Sequence, residues 1–154
     1  MITMAHALRV SQMSDRGVIR LIDANANRAL EGVRVCEDIV RFHLGAREEF
    51  RQIRRMRHAI AHAVSHLPMS VAERLRARSS TADVGRDAPA RSIASVDRLL
   101  LMNFQRAKES LRVLEECSRL IAPRHTEAFQ RLRFHTYALE RTVLLRRLAT
   151  LRDH

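Results

Sequence analysis

Ten polar residues of three types recur at every third position in two segments of the chain. They are Asn25, Arg28, Glu31, Arg34 and Glu37 in the first segment, and Asn103, Arg106, Glu109, Arg112 and Glu115 in the second. We call these ten residues the polar stripe. A helix turns by about 100° per residue, so a step of three drifts back by roughly 60° and the stripe winds around most of a helix. If Glu31 and Arg34 face water, Asn25 and Arg28 turn toward apolar neighbours, and so do Asn103 and Arg106.

An arginine among apolar neighbours needs an anion, because an unpaired buried charge is costly. One interpretation places a ligand phosphate between Arg28 and Arg106, with Asn25 and Asn103 beside it. The other is an internal network in which Arg28 pairs with Glu109 and Arg106 pairs with Glu31. Spacing does not separate the two. For the last members of the stripe, Glu37 and Glu115, we favour solvated salt bridges.

A second candidate lies in the segment RSSTADVGRD, which contains Arg78, Asp83 and Gly85. Backbone amides and an acidic side chain in such a turn can meet a phosphate and Mg²⁺. The alternative is an ordinary connection in which Asp83 caps a turn.

Other chemistries fit the sequence less well. A carboxylate-bridged metal pair in a bundle needs Glu-x-x-His, and here arginine follows Glu31 and Glu109 at that spacing. His58, His62 and His66 are predicted to lie on an exposed helix face, and Cys36 and Cys117 to be buried thiols. The net charge of +11 comes from 28 basic residues of which only Lys108 is lysine, and aromatics make up 4%. A nucleic-acid binder usually mixes lysine with arginine and adds stacking aromatics.

Apolar residues recur at helical spacing along most of the chain and predict four long helices, at 18–44, 46–67, 93–121 and 124–150. Gly45 separates the first pair and Pro123 begins the last helix. A short extra helix is predicted at 70–78. Residues 1–17 are expected to form a poorly ordered leader of a cytoplasmic protein, and no apolar run has the ~20 residues of a membrane span.

The two halves of the chain resemble each other. Residues 25–41, NANRALEGVRVCEDIVR, match residues 103–119, NFQRAKESLRVLEECSR, at a constant offset of 78. In the helices that follow, an offset of 79 aligns the identical pairs Phe50/Phe129, Arg54/Arg133, Ala59/Ala138 and Val64/Val143. We therefore predict an all-α fold, an antiparallel four-helix bundle made of two tandem copies of one helical hairpin. Its single domain, 18–150, comprises repeat A at 18–67, a connection at 68–92 and repeat B at 93–150.

The ordered set DANANRALEGVRVCEDIVRF, RHAI, RSSTADVG and NFQRAKESLRVLEE resembles the helical hydroxymethylpyrimidine-phosphate kinase domain of thiamin biosynthesis. The resemblance covers about 18–146. It implies transfer of the γ-phosphoryl group of ATP, with Mg²⁺, to 4-amino-5-hydroxymethyl-2-methylpyrimidine phosphate. That domain is often fused ahead of thiamin-phosphate synthase, so this synthase is an expected partner. Neither a nucleic acid nor a membrane is expected as a partner, and a homodimer is an open possibility.

With four glycines and one lysine, the chain contains no P-loop. A kinase built from it must hold its phosphates with arginines and a metal-bound carboxylate. Together with the resemblance, this favours Arg28, Arg106 and Arg78 as phosphate ligands, joined by Arg34 and Arg112. Three acids are candidates for Mg²⁺ or for accepting the substrate hydroxyl's proton: Glu31, Glu109 and Asp83. Asp83 and Glu109 are the preferred Mg²⁺ ligands. Asn25 and Asn103 are expected to hydrogen-bond the pyrimidine or a phosphate.

One departure from that family is Ser79, which follows the loop arginine where the family usually has aspartate. The other is that no synthase domain follows in this chain, so the product would have to be released. A non-catalytic module that binds a thiamin-pathway ligand or partner is the first alternative. A helical enzyme of the chorismate mutase kind and a charge-driven nucleic-acid binder are the others.

Overall fold

Helices make up nearly all of the regular structure. The computed structural model describes the backbone of residues 4–152 and the side chains of residues 15–151, and this part of the chain contains no strand. The α-helices are α1 (Met4–Asp38), α2 (Arg47–Ser65), α3 (Val71–Ala77), α4 (Val96–Ile121) and α5 (Thr126–Arg152). The predicted all-α fold is confirmed. No helix among the described residues has an apolar stretch long enough to cross a membrane.

The first helix begins earlier than the predicted residue 18. From Met4 onward, the expected leader at 1–17 overlaps the first turns of α1. Residues 1–3 lie outside the described residues, and the division of the chain into a leader and a helical domain stays a prediction.

The helix α4 follows the connection after α3. It begins at Val96 because the Ser95 hydroxyl caps it by accepting a hydrogen bond from the Arg98 amide at 3.1 Å.

The turn between α1 and α2 depends on one glycine. The end of α1 widens into a π-helical turn, Ile39–His43, before the chain reverses. Gly45 then adopts φ +61°, a left-handed conformation that a residue without a Cβ reaches at little cost. The Ala46 amide closes the turn by donating to the Val40 carbonyl at 3.1 Å. The predicted interruption at Gly45 therefore coincides with the reversal of the chain.

The four long helices pack as a ring in the order α1, α4, α5, α2. Residue pairs show that α2 and α5 run antiparallel, since Glu49 meets Arg146 and, further along α2, Met56 meets Thr136. The helices α1 and α4 approach each other closely at Gly32, where an added Cβ would lie 2.9 Å from the Asn103 carbonyl oxygen. The interior is filled by fully buried apolar side chains, among them Ile22, Val33, Ile53, Ile60, Leu100, Phe104, Leu111 and Phe129. The tandem origin of the hairpins stays a prediction.

The short helix α3 packs against α1 rather than against the ring as a whole. It starts with a capping box, in which the Ser70 hydroxyl accepts from the Glu73 amide and the Glu73 carboxylate accepts from the Ser70 amide. Two arginines of α1 donate to carbonyl oxygens of this segment. Arg16 donates to Arg76 within α3 at 3.2 Å, and Arg20 donates to Ser79 after α3 at 3.0 Å. The connection is thereby fastened to the outer side of α1 up to residue 79.

Five acidic side chains are buried among residues 15–151, and each is paired with a cation from another element. Four of the partners are arginines and the fifth is the only lysine of the chain. The pairs are Asp23 with Arg78, Glu37 with Arg57, Glu49 with Arg146, Glu115 with Arg133, and Glu140 with Lys108. These pairs join α1 to α2 and to the end of α3, α2 to α5, and α4 to α5.

We expect Gly32→Ala to destabilise the fold, because its methyl group would have to push α1 away from the α4 backbone. The expected loss is about 1–3 kcal/mol in the free energy of unfolding, measured by urea denaturation. Gly17→Ala is the matched control, since that glycine is also in α1 and nothing lies within 4 Å of the added methyl group. Alanine there should be neutral or add up to about 1 kcal/mol. Equal effects of the two substitutions would contradict the close approach.

Candidate functional site

The two asparagines of the polar stripe are buried, at 6% exposure for Asn25 and 5% for Asn103. Each donates from Nδ2 to a carbonyl four residues earlier in its own helix, Asn25 to Leu21 at 2.9 Å and Asn103 to Leu99 at 2.8 Å. The Oδ1 atom of Asn103 is buried without a partner among the described residues. Both asparagines therefore turn inward as expected, with their amide nitrogens committed to their own helices.

The arginines beside them are exposed, so the expectation that Arg28 and Arg106 turn into the interior is wrong. Each lies one position before an alanine of the α1–α4 contact, and the rotation of about 100° per residue carries it out of the packed arc. Neither alternative cross-pair, Arg28 with Glu109 or Arg106 with Glu31, is among the ion pairs of the described residues. Glu31 and Glu109 are exposed, and Glu109 accepts from Gln105 at 2.9 Å.

The last members of the stripe, Glu37 and Glu115, correct a second expectation. They are 2% and 4% exposed instead of solvated. Arg57 donates to both oxygens of Glu37, and Arg133 reaches Glu115 Oε2 at 2.8 Å. The hydrogen bond to Glu115 is the main cause that raises the pKa of the Arg133 guanidinium. These glutamates are salt-bridge partners, as expected, but they bind inside the bundle because the drift of the stripe carries them toward the neighbouring helix.

The two remaining arginines of the stripe form salt bridges along their own helices. Arg34 donates to Asp38 at 3.2 Å. Arg112 lies 3.0 Å from Glu115 and 2.9 Å from Glu116. Both side chains are about half exposed, so each retains guanidinium surface for a ligand. A phosphate-binding role for either stays a prediction.

The two loop candidates, Arg78 and Asp83, make different contacts. Arg78 forms a two-pronged ion pair with the buried Asp23, at 2.8 and 2.9 Å, which also raises the pKa of Arg78. Asp83 is exposed and accepts from the Gly85 amide at 3.0 Å, which is the turn-capping role named as the alternative. The guanidinium of Arg78 is thus already held by a carboxylate. Its role as a phosphate ligand, and that of Asp83 with Mg²⁺, stay predictions.

Three of the sequence candidates meet on one groove between α4 and α5. It consists of two adjoining cavities of about 450 and 350 Å³ that share Gln105, Lys108 and Glu109 in their walls. The larger cavity adds Arg98, Leu101, Met102, Arg106 and Glu140. The smaller adds Arg112, Arg133 and Tyr137. We call this the α4–α5 groove. Cavities of this size match small-molecule sites in other proteins.

Positive charge dominates the wall of the groove. Five cations line it, namely Arg98, Arg106, Lys108, Arg112 and Arg133, against the two acids Glu109 and Glu140. The guanidinium groups of Arg98 and Arg106 make no hydrogen bond or ion pair with the described residues, so they are available to an anion. Lys108 Nζ donates to Glu140 Oε2 at 2.6 Å, and both residues are about 90% buried.

Several residues of this groove were missed by the sequence analysis. Arg98, Lys108, Arg133, Tyr137 and Glu140 lie outside the polar stripe, and the groove forms only when α5 packs on α4. One signal was present, since Lys108 is the single lysine of a chain with 27 arginines.

A larger cavity, about 500 Å³, lies between α2 and α5 and is lined by His62, His66, His125 and His135. It contains none of the candidates from the polar stripe. His58, His62 and His66 are exposed, as predicted. In the part of the chain that the structure describes, no group of three or more histidine, cysteine, aspartate or glutamate residues is placed to hold a metal ion.

The two cysteines are free and buried, as predicted. Burial is the main cause that raises the pKa of the Cys36 thiol, and the negative charge of Glu140 adds to it. Burial likewise raises the pKa of Cys117. A raised thiol pKa keeps cysteine protonated and unreactive, so neither residue has the environment of a nucleophile.

Comparison with known proteins identifies one family and one group of relatives. A model described as the ThiD2 family matches residues 20–142. The chain is 36% identical over 138 residues to thiamine-phosphate synthase of Synechocystis sp., which covers 88% of this chain and 38% of that protein. It is 35% identical over 130 residues to thiamine-phosphate synthase of Nostoc punctiforme, with 82% of this chain and 35% of that protein covered. The chain thus spans less than two fifths of these relatives, and no solved structure matches it.

We expect Glu115→Ala to destabilise the protein strongly, because it leaves the side chain of Arg133 without its carboxylate between α4 and α5. The expected loss is about 3 kcal/mol in the free energy of unfolding. Glu116→Ala is the matched control, one residue away and half exposed, with an expected loss below about 1 kcal/mol. Chemical denaturation of both variants measures the difference. Similar values for the two would mean that the Glu115 pair contributes no more than a surface salt bridge.

Proposed function

We propose that this chain, which belongs to the ThiD2 family, acts in thiamin biosynthesis by phosphorylating 4-amino-5-hydroxymethyl-2-methylpyrimidine phosphate. ATP supplies the γ-phosphoryl group, and the products are the pyrimidine diphosphate and ADP. Family membership and the similarity to part of the proteins named thiamine-phosphate synthase support the pathway. The observation that carries the reaction is the convergence of Arg106, Glu109 and Arg112 on the α4–α5 groove.

The reaction demands charge neutralisation more than covalent chemistry. Two phosphate-bearing anions have to approach each other, and catalysis of phosphoryl transfer consists largely of positioning and of stabilising negative charge. A groove with five cations and two acids in its wall supplies that environment, and two of the cations, Arg98 and Arg106, are unpaired among the described residues. Arginine suits the task because its planar guanidinium binds two phosphate oxygens at once.

Within the groove, Arg98 and Arg106 are the proposed phosphate ligands, because their guanidinium groups are unengaged by the described residues. Arg112 is shared with Glu115 and Glu116, which fix its orientation along the groove wall. Glu109 is the proposed ligand of Mg²⁺, whose charge would further neutralise the phosphates. Mg²⁺ in such sites is usually held by one or two carboxylates together with the substrate phosphates, so a preformed cluster of acids is not required.

The proposed substrate also corrects one role named above. Its reacting group is a phosphate, whose second pKa lies near 6, so the attacking oxygen is already ionised at neutral pH. No side chain has to accept a hydroxyl proton. Glu31, Glu109 and Asp83 are therefore not needed to accept a proton, and binding of Mg²⁺ is their remaining proposed role. The binding roles predicted for Asn25, Arg28, Arg34, Arg78 and Asn103 stay untested, and none of these residues lines the α4–α5 groove.

Thiamine-phosphate synthase is the proposed partner. The similarity covers only part of each relative so named, which places a segment like this chain within a longer protein. A pyrimidine diphosphate made in the groove would then be passed to the synthase. The homodimer considered above stays a prediction.

The second candidate function is a module that binds the pyrimidine phosphate without transferring a phosphoryl group. Ser79, where the resembling family usually has aspartate, favours it. In the structure the Ser79 carbonyl accepts from Arg20, which ties this position to α1. Incubation of the protein with Mg·ATP and the pyrimidine phosphate, followed by ³¹P NMR, distinguishes the two. A signal of the pyrimidine diphosphate supports the kinase. Binding of the pyrimidine phosphate without that signal supports the module.

We expect Arg106→Ala to lower the rate of phosphoryl transfer about 100-fold, the usual effect of removing one preorganised donor to a charged transition state. Arg119→Ala is the matched control, because Arg119 is an exposed arginine of the same helix whose partner is Glu116. It should leave the rate unchanged. ADP release in a coupled assay measures both variants, and a full rate for Arg106→Ala would contradict the proposed site.

Arg28→Ala compares the groove with the arrangement that the polar stripe suggested, in which a phosphate lies between Arg28 and Arg106. A phosphate between the two arginines requires Arg28→Ala and Arg106→Ala to lower the rate of phosphoryl transfer equally. The groove requires a larger loss for Arg106→Ala, because Arg28 is absent from its walls. The ratio of the two rates in the same assay decides between them.

A further inference from the structure

The ion pair between Lys108 and Glu140 differs from the other four buried pairs. In those four, the buried carboxylate has both oxygens bonded, as in Asp23, where Arg78 donates to Oδ1 at 2.9 Å and to Oδ2 at 2.8 Å. Glu140 uses only Oε2, and its Oε1 is buried without a partner among the described residues. Burying a charged group that is incompletely bonded costs stability, so this pair is a poor stabilising device.

The other half of the chain has no charge pair at the corresponding place. The sequence offsets of 78 and 79 align Lys108 with Leu30 and Glu140 with Ala61. Leu30 packs against the hydrophobic core. Ala61 is exposed, and the first hairpin holds no charge pair at the corresponding place. A role in ligand binding would account for a lysine and a glutamate in the second hairpin.

Lys108 is also placed to meet a ligand. Its side chain lines both cavities of the α4–α5 groove. Its ammonium group lies 4.6 Å from the centre of the Tyr137 ring and donates one hydrogen bond, to Glu140. An ammonium group has three donors, and no second hydrogen bond from Nζ is formed within the described residues. Glu140 and the ring fix the position of the nitrogen and leave donors unused.

We infer that Lys108 is a phosphate-binding residue of the α4–α5 groove and that Glu140 is its positioning residue. The ligand class is the phosphoryl group, from either a nucleotide or the pyrimidine phosphate. Lysine serves here because its compact ammonium is a point charge that fits between Glu140 and Tyr137, whereas a guanidinium is larger and planar. This inference rests on the groove of the proposed function and adds a residue that the polar stripe does not contain.

The test uses the double variant Lys108→Leu with Glu140→Ala, which copies the residues of the first hairpin and leaves the net charge unchanged. It should fold with a melting temperature at or above that of the wild type, because apolar replacement of a buried ion pair is often neutral or stabilising. Calorimetric titration is carried out with three probes: the pyrimidine phosphate, a non-hydrolysable ATP analogue and pyrophosphate. Affinity for at least one should fall by roughly 10- to 100-fold, the range expected for a lost charged hydrogen bond.

The three probes show which phosphate Lys108 contacts. A loss for the pyrimidine phosphate alone assigns it to the acceptor, and a loss for the nucleotide alone assigns it to ATP. The unphosphorylated pyrimidine alcohol should bind the variant and the wild type equally. Unchanged affinity for all three phosphate probes in the folded double variant would overturn the inference.

The positioning role of Glu140 is tested with Glu140→Gln and Glu140→Asp. A residue that only stabilises the fold would change the melting temperature and leave phosphate affinity of the folded protein intact. We expect the glutamine variant to bind phosphate probes more weakly than the aspartate variant, because aspartate keeps the charge that fixes the ammonium. The reverse order, or equal affinity, would overturn this part of the inference.

Failure of the proposed function is distinguishable from failure of the inference. If the wild type makes no diphosphate but binds a phosphate probe through Lys108, the kinase activity is wrong and the inference stands. If the wild type makes diphosphate and the double variant binds and reacts as well as the wild type, the inference is wrong and the kinase activity stands. If the wild type binds no phosphate probe, both are overturned.

Discussion

Buried charge has to be paired, and in this protein that constraint ties the helices together. Each of the five carboxylates buried in the described part of the chain meets a cation from a different element, so these pairs act across the helix contacts. Glu37 and Glu115 also meet an arginine of their own helix. Removing the cation would leave a carboxylate with little access to water, which is far more costly than losing a surface salt bridge. Part of the arginine content therefore has a structural cause, independent of any ligand.

The same constraint separates structural cations from those available to a substrate. Arg57 and Arg133 are committed to Glu37 and Glu115, while Arg98 and Arg106 stand on the groove wall without such partners. Lys108 lies between these classes, because it is paired with Glu140 yet has donors left over. A groove that combines fixed and free cations is suited to hold phosphates in a defined orientation.

The helical fold can be predicted from the periodic spacing of apolar residues. Which polar residues are buried inside the bundle cannot be predicted from that spacing. Spacing of apolar residues predicted the long helices, and Gly45 predicted the first reversal of the chain. The stripe of every third residue winds around the helix, so its spacing cannot tell which members enter a contact with a neighbour. Burial of Glu37 and exposure of Arg28 depend on where α2 and α4 pack. The pairing of Asp23 with Arg78 likewise depends on α3 folding back onto α1.

The central claim is that the phosphate-bearing substrate binds between α4 and α5. Chemical-shift mapping by NMR tests it most directly, with amide signals followed as the pyrimidine phosphate is added to the isotope-labelled chain. The account predicts that the largest shifts cluster at residues 98–112 and 133–140, on the two walls of the groove. Shifts centred instead on residues 20–34 and 78–85, with the groove unaffected, would contradict it and move the site to α1 and the loop that follows α3.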